Sequence, residues 1–433
     1  MTYAEALQFL YGLSLFGAEF GLENTLQLAA LAGNPQETLR FIHVAGTNGK
    51  GSTCAMLEGI YRAAGLRTGL FTSPHLVSFR ERIQINRQLI SEDEVVRLVA
   101  EFQPLLKPFP AGHHPTFFEV VTVMALKFFA ERNCDLVIWE TGLGGRLDAT
   151  NIVTPLASVI TNIAFDHEQW LGDTLAKIAT EKAGIIKPGV PVLTAANEPE
   201  ALSVIENVAR EKHAPLYKLE QESCRFAGGG TPPPTLPGDH QKLNATLALA
   251  TIDILQTQIP VTAEAVRTGL TGVDWPGRLQ LIQKSNGQKI LLDGAHNVAG
   301  TKVLREALEK HFPAARRSLI LGVLQDKDWR RICKLLAPLA ARILTVPVAS
   351  ERAADADELA KACRTYNPSS EILVCSSLDD ALNQSAVDAF VVVTGSLYLV
   401  GEALERLGLS PEAGSERGLN EWIAPTKPAS ARR

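Results

Sequence analysis

The chain has 433 residues, a formal net charge of -5 and a pI near 6.0. This acidic balance argues against a dedicated nucleic-acid-binding protein, which is usually basic. With 46% hydrophobic and 21% charged residues, the composition is typical of a globular protein with two or three domains, and two is the simpler interpretation. No apolar run is long enough to span a bilayer, and the N-terminus lacks the features of a signal peptide, so we expect no membrane partner.

The six cysteines form no C-x-x-C pair, and no His/Cys cluster has zinc spacing. Several of them lie in apolar stretches, where a free thiol behaves as a small core residue. A reducing compartment fits this usage, so we expect a cytoplasmic protein.

In chain order, residues 3–31 have helical spacing, with breaks near Phe16-Gly17 and at residues 33–35. From Phe41 onward, short apolar runs alternate with amphipathic stretches, which predicts a mostly parallel sheet with helices on both faces. The predicted strands are 68–71, 136–139, 157–160 and 190–193, and the predicted helices are 92–102 and 117–132.

Residues 227–239 are rich in Gly and Pro and predict a surface loop, followed by a helix over 241–255. A second series of strands and helices begins near Lys289 and runs through 290–292, 318–322, 343–346 and 389–393. The polar turn at 284–287 therefore predicts two domains, 1–284 and 285–433, and we expect the tail 425–433 to fray.

The most informative segment is His43–Ser52, in which a glycine-rich turn with a lysine joins a strand to a helix. Backbone N–H groups at such a turn, the helix N-terminus and Lys50 together favour phosphate binding, and Ser52 could offer a hydroxyl to magnesium. The match to the general P-loop is imperfect, because Val44 stands where a glycine is usual and Gly51 where a hydroxyl residue is usual. A glycine-rich turn without phosphate is the alternative.

Other candidate residues follow strand-like runs, where α/β proteins bind ligands. Glu140 is either a magnesium ligand or a capping or salt-bridged glutamate, and Ser73 is either a ligand or part of a turn. From the residues alone, His167 favours a structural role and Lys182 a solvated helix face. Arg278 and Asp293 lie near the domain junction, where the arginine can reach a phosphate across a cleft. The alternative is a structural arginine and, at Asp293, an Asx turn.

Taken together, the motifs resemble those of the Mur ligase superfamily, and within it the folylpolyglutamate synthase and dihydrofolate synthase group. They occur in family order and cover nearly the whole chain, and the unusual P-loop is the form this family has. The matching segments are 45–52, 72–76, 116–119, 140–151, 166–172, 181–185, 276–278, 293–297 and 394–398.

The resemblance implies a P-loop-containing N-terminal α/β domain and a smaller Rossmann-like C-terminal domain. It implies catalytic roles for Lys50, Glu140, His167 and Lys182, the last as a carbamate. The implied ATP-binding residues are Asn48, Gly49, Lys50, Gly51, Ser52, Asn244, Arg278 and Asp293. The implied magnesium ligands are Ser52, Ser73, Glu140, His167 and Lys182, and the implied substrate-binding residues are Thr116, Phe117, Phe118, Glu119, Leu147, Asp148, Ala149 and His296.

The implied cofactors are ATP and two magnesium ions, and a potassium ion is compatible with the family. The implied substrates are dihydropteroate, reduced folates and L-glutamate, joined through an acyl phosphate, and we expect both glutamate-adding activities in a monomer. Three alternatives stay open: polyglutamylation alone, a cell-wall Mur ligase, and a non-catalytic nucleotide-binding relative. The Ser73-Pro74-His75 loop and the 293–297 motif argue against the second, and the four catalytic residues argue against the third.

Overall fold

The computed structural model describes residues 1–14, 21–110, 113–219, 235–313, 316–410 and 416–420. The predicted break at Phe16-Gly17, most of the 227–239 loop and the 425–433 tail lie outside these residues. Two sheets organise the described chain, one of eight strands and one of six.

The first sheet has the strand order β4-β3-β2-β5-β1-β6-β7-β8. In this spatial order, every neighbouring pair between β2 and β8 is parallel. The two remaining strands, β3 and β4, extend the sheet beyond β2 with antiparallel pairing. Its strands are β1 (Phe41–Ala45), β2 (Thr68–Phe71), β3 (Ile83–Ile85), β4 (Gln88–Leu89), β5 (Leu136–Glu140), β6 (Ala157–Ile160), β7 (Val192–Thr194) and β8 (Leu216–Lys218).

Helices cover both faces of this sheet, so its central strands are buried on both sides. The helices are α1 (Tyr3–Ser14), α2 (Glu23–Leu31), α3 (Lys50–Ala63), α4 (Glu92–Leu106), α5 (Phe117–Glu131), α6 (Glu168–Leu171), α7 (Leu175–Ala183), α8 (Pro199–Glu211), α9 (Asp239–Leu255) and α10 (Ala263–Thr271). On β1, Phe41 packs into one core with α1, α4 and α5, and Ile42 packs into the opposite core with α3, α9 and α10.

The second sheet has the order β13-β12-β11-β14-β10-β9, parallel except for β9. Its strands are β9 (Gln280–Gln283), β10 (Lys289–Asp293), β11 (Ser318–Leu321), β12 (Arg342–Thr345), β13 (Glu371–Val374) and β14 (Phe390–Thr394). Its helices are α11 (Val298–Lys310), α12 (Trp329–Leu336), α13 (Ala356–Tyr366), α14 (Leu378–Gln384) and α15 (Leu397–Arg406).

The expected fold class is confirmed: two α/β units follow one another, the first with a P-loop-like turn after β1. The antiparallel strand β9 lies before the expected boundary at 284/285, although it pairs with the second sheet. The exact boundary stays a prediction. Within the described part of the chain, no helix is long and apolar enough to cross a membrane.

One short segment returns from the C-terminal domain to the N-terminal domain. The 3-10 helix Glu416–Asn420 places Leu419 in the core that also holds α1 and α5. The carboxylate of Glu416 accepts hydrogen bonds from Ser78 Oγ at 2.9 Å and from the Phe79 N–H at 2.6 Å. We call residues 416–420 the return segment.

Candidate active site

A cavity of about 410 Å³ lies between the two domains, at the carboxyl ends of the central strands of the first sheet. Ligands bind at this edge of parallel sheets because the strand-to-helix loops converge there. All the residues expected at the site line this cavity: Asn48, Gly49, Lys50, Gly51, Ser52, Ser73, Thr116, Phe117, Phe118, Glu119, Glu140, Leu147, Asp148, Ala149, His167, Lys182, Asn244, Arg278, Asp293 and His296.

The N-terminus of α3 forms one wall of the cavity. Gly49 occupies the N-cap position with a φ of 84°, and no side chain caps the helix. In contrast, the N-terminus of helix α5, on the opposite face of the sheet, is closed by a capping box between Thr116 and Glu119. An uncapped helix N-terminus with Lys50 in its first turn concentrates N–H donors and positive charge on the cavity, which favours a bound anion.

Side chains from α9 support this loop from behind. Gln241 donates a hydrogen bond to Ser52 Oγ at 3.3 Å and accepts one from Asn244 Nδ2 at 2.9 Å. The expected ATP-binding residue Asn244 therefore lies directly against the loop that carries Lys50.

Ser73 and Glu140 meet at the ends of two neighbouring strands, β2 and β5. The Ser73 N–H donates to Glu140 Oε2 at 3.3 Å, and Ser73 Oγ is buried without a hydrogen-bond partner among the described residues. Burial raises the pKa of Glu140 to about 7, and the charge of Lys50 opposes that shift. A carboxylate and an orphaned hydroxyl side by side fit a hard cation that takes its remaining ligands from phosphate and water.

The described residues contain no group of three or more His, Cys, Asp and Glu side chains with metal-binding geometry. A magnesium ion here would therefore depend on serine hydroxyls and substrate phosphates in addition to Glu140. That dependence is usual for magnesium, which is seldom held by an all-protein cage.

Lys182 lies inside the site and not on a solvated helix face, which is the role that spacing alone favoured. Its side chain is buried at 4% exposure, and Nζ donates to the Gly46 carbonyl at 2.8 Å. Burial, reinforced by the charge of Lys50, lowers the pKa of Lys182 to about 7. A large fraction of this amine is therefore neutral near physiological pH.

His167 and Asp166 lie where the N-terminal domain contacts Lys327 of the C-terminal domain. His167 has a left-handed backbone with a φ of 53°, and its Nε2 lies 3.4 Å from the ammonium of Lys327. Burial and that ammonium lower the pKa of His167 to about 3, so the imidazole is neutral. A neutral imidazole can act as a metal ligand, whereas an imidazolium cannot.

Three expected ligand-binding carboxylates already hold backbone in place. Asp148 accepts from the Leu143 N–H at 2.7 Å, and Asp293 accepts from the N–H groups of Leu279 at 2.9 Å and Ala295 at 3.0 Å. Glu119 accepts from the Thr116 N–H at 2.8 Å within the capping box. In this geometry these carboxylates shape the loops of the cavity, and their direct contact with ligands stays a prediction.

Two family models match the chain: the Mur ligase middle domain over residues 44–252 and the Mur ligase glutamate ligase domain over residues 277–397. Together they match well over half of its length. The chain belongs to the Mur ligase family.

Relatives of known activity match this Mur ligase along almost its whole length. The dihydrofolate synthase/folylpolyglutamate synthase of Bacillus subtilis is 37% identical over 432 residues, covering 94% of this chain and 99% of the relative. The folylpolyglutamate synthase of Lacticaseibacillus casei is 33% identical, with coverage of 94% and 99%. The solved structure of E. coli FolC in complex with DHPP and ADP matches with a TM-score of 0.84 at 32% identity, covering 94% of this chain and 98% of FolC.

Sequence reasoning missed several residues that line the cavity of this Mur ligase. Lys327 follows β11 and forms a 2.6 Å ion pair with Asp166, across the domain junction. Arg82 is buried, donates to His75 Nδ1 at 2.9 Å, and lies over the ring of Phe117 at 5.3 Å. The rule that ligands gather at strand ends could have found Lys327, whereas no sequence signal we used points to Arg82.

Proposed function

We propose that this chain is an ATP-dependent ligase that adds L-glutamate to dihydropteroate and to the γ-carboxylate of reduced folates, through an acyl phosphate. One observation carries the proposal: a single interdomain cavity joins an uncapped, lysine-bearing helix N-terminus to Ser73, Glu140, His167 and Lys182. Full-length likeness to ligases with these activities supports the choice of substrates.

The chain's own groups suit the first half-reaction, in which a substrate carboxylate attacks the γ-phosphate of ATP. Two anions must approach each other, so positive charge at the point of attack lowers the barrier. Lys50 and the free N–H groups of α3 supply that charge and hold the phosphates. Arg278, from the segment joining the domains, lies on the same cavity and would contact ATP from the opposite side.

We propose that Ser52, Ser73, Glu140 and His167 hold magnesium in this site. The orphaned hydroxyl of Ser73 and the adjacent carboxylate of Glu140 support that assignment. Bound magnesium neutralises phosphate charge. For Lys182, reaction of its neutral amine with carbon dioxide gives a carbamate and releases a proton, which turns a cation into a carboxylate-like ligand suited to a second magnesium ion.

The pteroyl group is proposed to lie along Thr116–Glu119 and Leu147–Ala149, which line the same cavity as the phosphate loop. Phe117 and Phe118 offer aromatic surface there. The second half-reaction joins the glutamate amine to the acyl carbonyl and expels phosphate. Water must be kept out while the acyl phosphate exists, and the position of the cavity between two domains is suited to that requirement.

Product mass spectrometry tests the proposed reaction directly. The protein is incubated with magnesium, ATP and L-glutamate, with dihydropteroate in one sample and tetrahydrofolate in the other. We expect dihydrofolate in the first sample and added glutamates in the second. Products only in the second sample would restrict the activity to polyglutamylation, and no glutamylated product in either would overturn the assignment.

Lys50→Ala tests the phosphate-binding loop. We expect turnover to fall roughly 10²- to 10³-fold, as when one donor to a developing charge is removed, with the fold unchanged. Phosphate release and circular dichroism measure the two effects. Lys302→Ala, which removes an exposed lysine from α11, is the matched control, and near-normal turnover in Lys50→Ala would contradict the role of the loop.

Two further expectations accompany this proposal. The five described cysteines are free and buried, which supports a reducing compartment such as the cytoplasm. We also propose that the protein is a monomer that acts on small molecules and not on nucleic acid. Size-exclusion chromatography with light scattering measures the molar mass and so checks the monomeric state.

A further inference from the structure

One asparagine of the C-terminal domain, Asn297, forms hydrogen bonds with every donor and acceptor of its side-chain amide at the domain junction. Asn297 Nδ2 donates to Asn48 Oδ1 at 3.0 Å and to Asp166 Oδ2 at 2.9 Å. Asn297 Oδ1 accepts from Asn48 Nδ2 at 3.3 Å and from the Gly300 N–H at 2.8 Å. Both donors and both acceptor positions of the amide are therefore satisfied.

These contacts join the phosphate loop to the second domain. Asn48 belongs to the loop, and its own N–H donates to Asn162 Oδ1 at 2.7 Å, which ties it to the end of β6. Asn297 caps α11, so it is rigidly placed on the C-terminal domain. A rotation of that domain away from the loop must break the contacts to Asn48 and Asp166 together.

The surroundings make those contacts costly to break. Asn297 is buried at 4% exposure, and the side chains of Asp166 and Lys327 are each 7% exposed. The Lys327 ammonium donates to Asp166 Oδ1 at 2.6 Å, beside the bond from Asn297 to Oδ2. Because buried polar groups need partners, opening the junction without entry of water or ligand would leave several groups unsatisfied.

We propose that Asn297 is a positioning residue that holds the C-terminal domain closed over the phosphate loop, through Asn48 and Asp166. We call these three residues the interdomain bridge. This inference rests on the proposed ligase activity. Its consequence is that the bridge keeps water from the acyl phosphate during the interval before the glutamate amine attacks.

Asn297→Ser separates bridging from helix capping. Serine is about as good an N-cap residue as asparagine, so α11 keeps its cap, but serine cannot supply the two amide donors. Asp355→Ser is the matched control, since it exchanges an exposed N-cap of the same domain at α13, away from the cavity. Both variants are expected to stay folded at the assay temperature, with far-ultraviolet circular dichroism spectra like that of the unmodified protein.

The first measurement is the ratio of phosphate released to glutamylated product. We expect a ratio of one for the unmodified protein and for Asp355→Ser, and a severalfold higher ratio for Asn297→Ser, because water then competes for the acyl phosphate. A loss of fold would instead reduce phosphate and product together. A ratio that stays at one in Asn297→Ser overturns the bridge.

The second measurement is the radius of gyration in solution by small-angle X-ray scattering without ligands. We expect a larger value for Asn297→Ser than for the unmodified protein or Asp355→Ser. If the unmodified protein makes no glutamylated product, the proposed function fails, and an unchanged radius of gyration in Asn297→Ser then overturns the bridge independently.

Discussion

At the scale of single residues, the indole of Trp275 lies against the first turn of α3, beside Gly51. A Cβ built on Gly51 would lie 3.0 Å from Trp275 Nε1 and 3.1 Å from Cζ2. The guanidinium of Arg87 lies 5.0 Å from the same ring and donates to the Asp274 carbonyl at 2.8 Å, so the indole has little room to move. The glycine that departs from the general P-loop pattern therefore has a steric reason in this protein.

Gly51→Ser would restore the hydroxyl residue that most P-loops have after the lysine. We nevertheless expect weaker ATP binding, because the added atoms clash with the indole and displace Lys50. The KM for ATP should rise severalfold. Steady-state kinetics at varied ATP concentration measure the change.

Trp275→Leu combined with Gly51→Ser provides the control for this explanation. The smaller side chain makes room for the serine, so the double variant should recover part of the ATP affinity that the single variant loses. An unaltered KM for ATP in Gly51→Ser alone would show that the Trp275 indole moves aside without affecting ATP binding, and would contradict the steric argument.

The positions of Lys50 and Glu140 in the cavity could be predicted from the sequence. Lys50 ends a glycine-rich turn that follows a strand, and Glu140 ends an apolar strand, and α/β proteins bind ligands at such positions. Lys182 could not be predicted from spacing, because a helical lysine beside a glutamate has the pattern of an exposed face. Its burial depends on the loop around Gly46, which is far away in sequence. Only the resemblance to a family pointed to its position in the site.

At the scale of single elements, strand β1 carries a histidine in the middle of the N-terminal domain. His43 Nε2 donates to Thr150 Oγ1 at 3.0 Å, since the Thr150 hydroxyl donates to Asp148, and His43 Nδ1 is buried without a partner among the described residues. Burial lowers the pKa of His43 to about 3. Burial likewise lowers the pKa of His75, on the loop after β2.

This depressed pKa predicts acid sensitivity. Between pH 6.5 and about 3, His43 is protonated in the unfolded chain but stays neutral in the folded chain. The free energy of unfolding therefore falls as the pH falls. Each pH unit in this window costs about 1.4 kcal/mol from one histidine. Urea unfolding at pH 7.5 and pH 5.5 measures the loss.

His43→Gln keeps a hydrogen-bond donor toward Thr150 and removes the titration. We expect this variant to lose about 1.4 kcal/mol less between the two pH values than the unmodified protein, with His75 still contributing. An equal loss in His43→Gln and in the unmodified protein would contradict the assignment to His43.

At the scale of the whole molecule, the two domains approach each other backbone to backbone. A Cβ built on Gly401, in the middle of α15, would overlap the carbonyl oxygen of Leu76 in the loop after β2. That loop also carries Ser73, the expected magnesium ligand. The position of the loop therefore depends on how closely α15 packs on it.

Gly401→Ala tests this close approach. Alanine inside a helix is ordinarily stabilising by about 1 kcal/mol relative to glycine, but here its methyl group wedges the domains apart. We expect ligase turnover to fall while far-ultraviolet circular dichroism stays unchanged.

Gly12→Ala is the reference for that test. Gly12 lies in α1, and a Cβ placed there has no neighbour within 4 Å among the described residues, so this variant should gain about 1 kcal/mol in free energy of unfolding with turnover unaffected. Full turnover in Gly401→Ala would contradict the prediction that the added methyl group separates the two domains.

The alternation of strands and helices was enough to predict two α/β units, because each strand is a short apolar run bounded by turns. Strand β9 was not predicted: its residues Gln280–Gln283 alternate in burial and carry two glutamines, so they lack the apolar run of a central strand. The return segment could not be predicted either, since its anchoring to Ser78 and Phe79 is a contact between distant parts of the chain.

The return segment has a consequence for the order in which the site is assembled during translation. His75 donates from Nε2 to the Glu416 carbonyl, and Arg82 and Asn420 are hydrogen-bonded to each other, across separations of 341 and 338 residues. A ribosome therefore completes the N-terminal sheet and the phosphate loop long before it releases the residues that fasten this wall of the cavity. The complete active site therefore exists only once nearly all of the described chain has emerged.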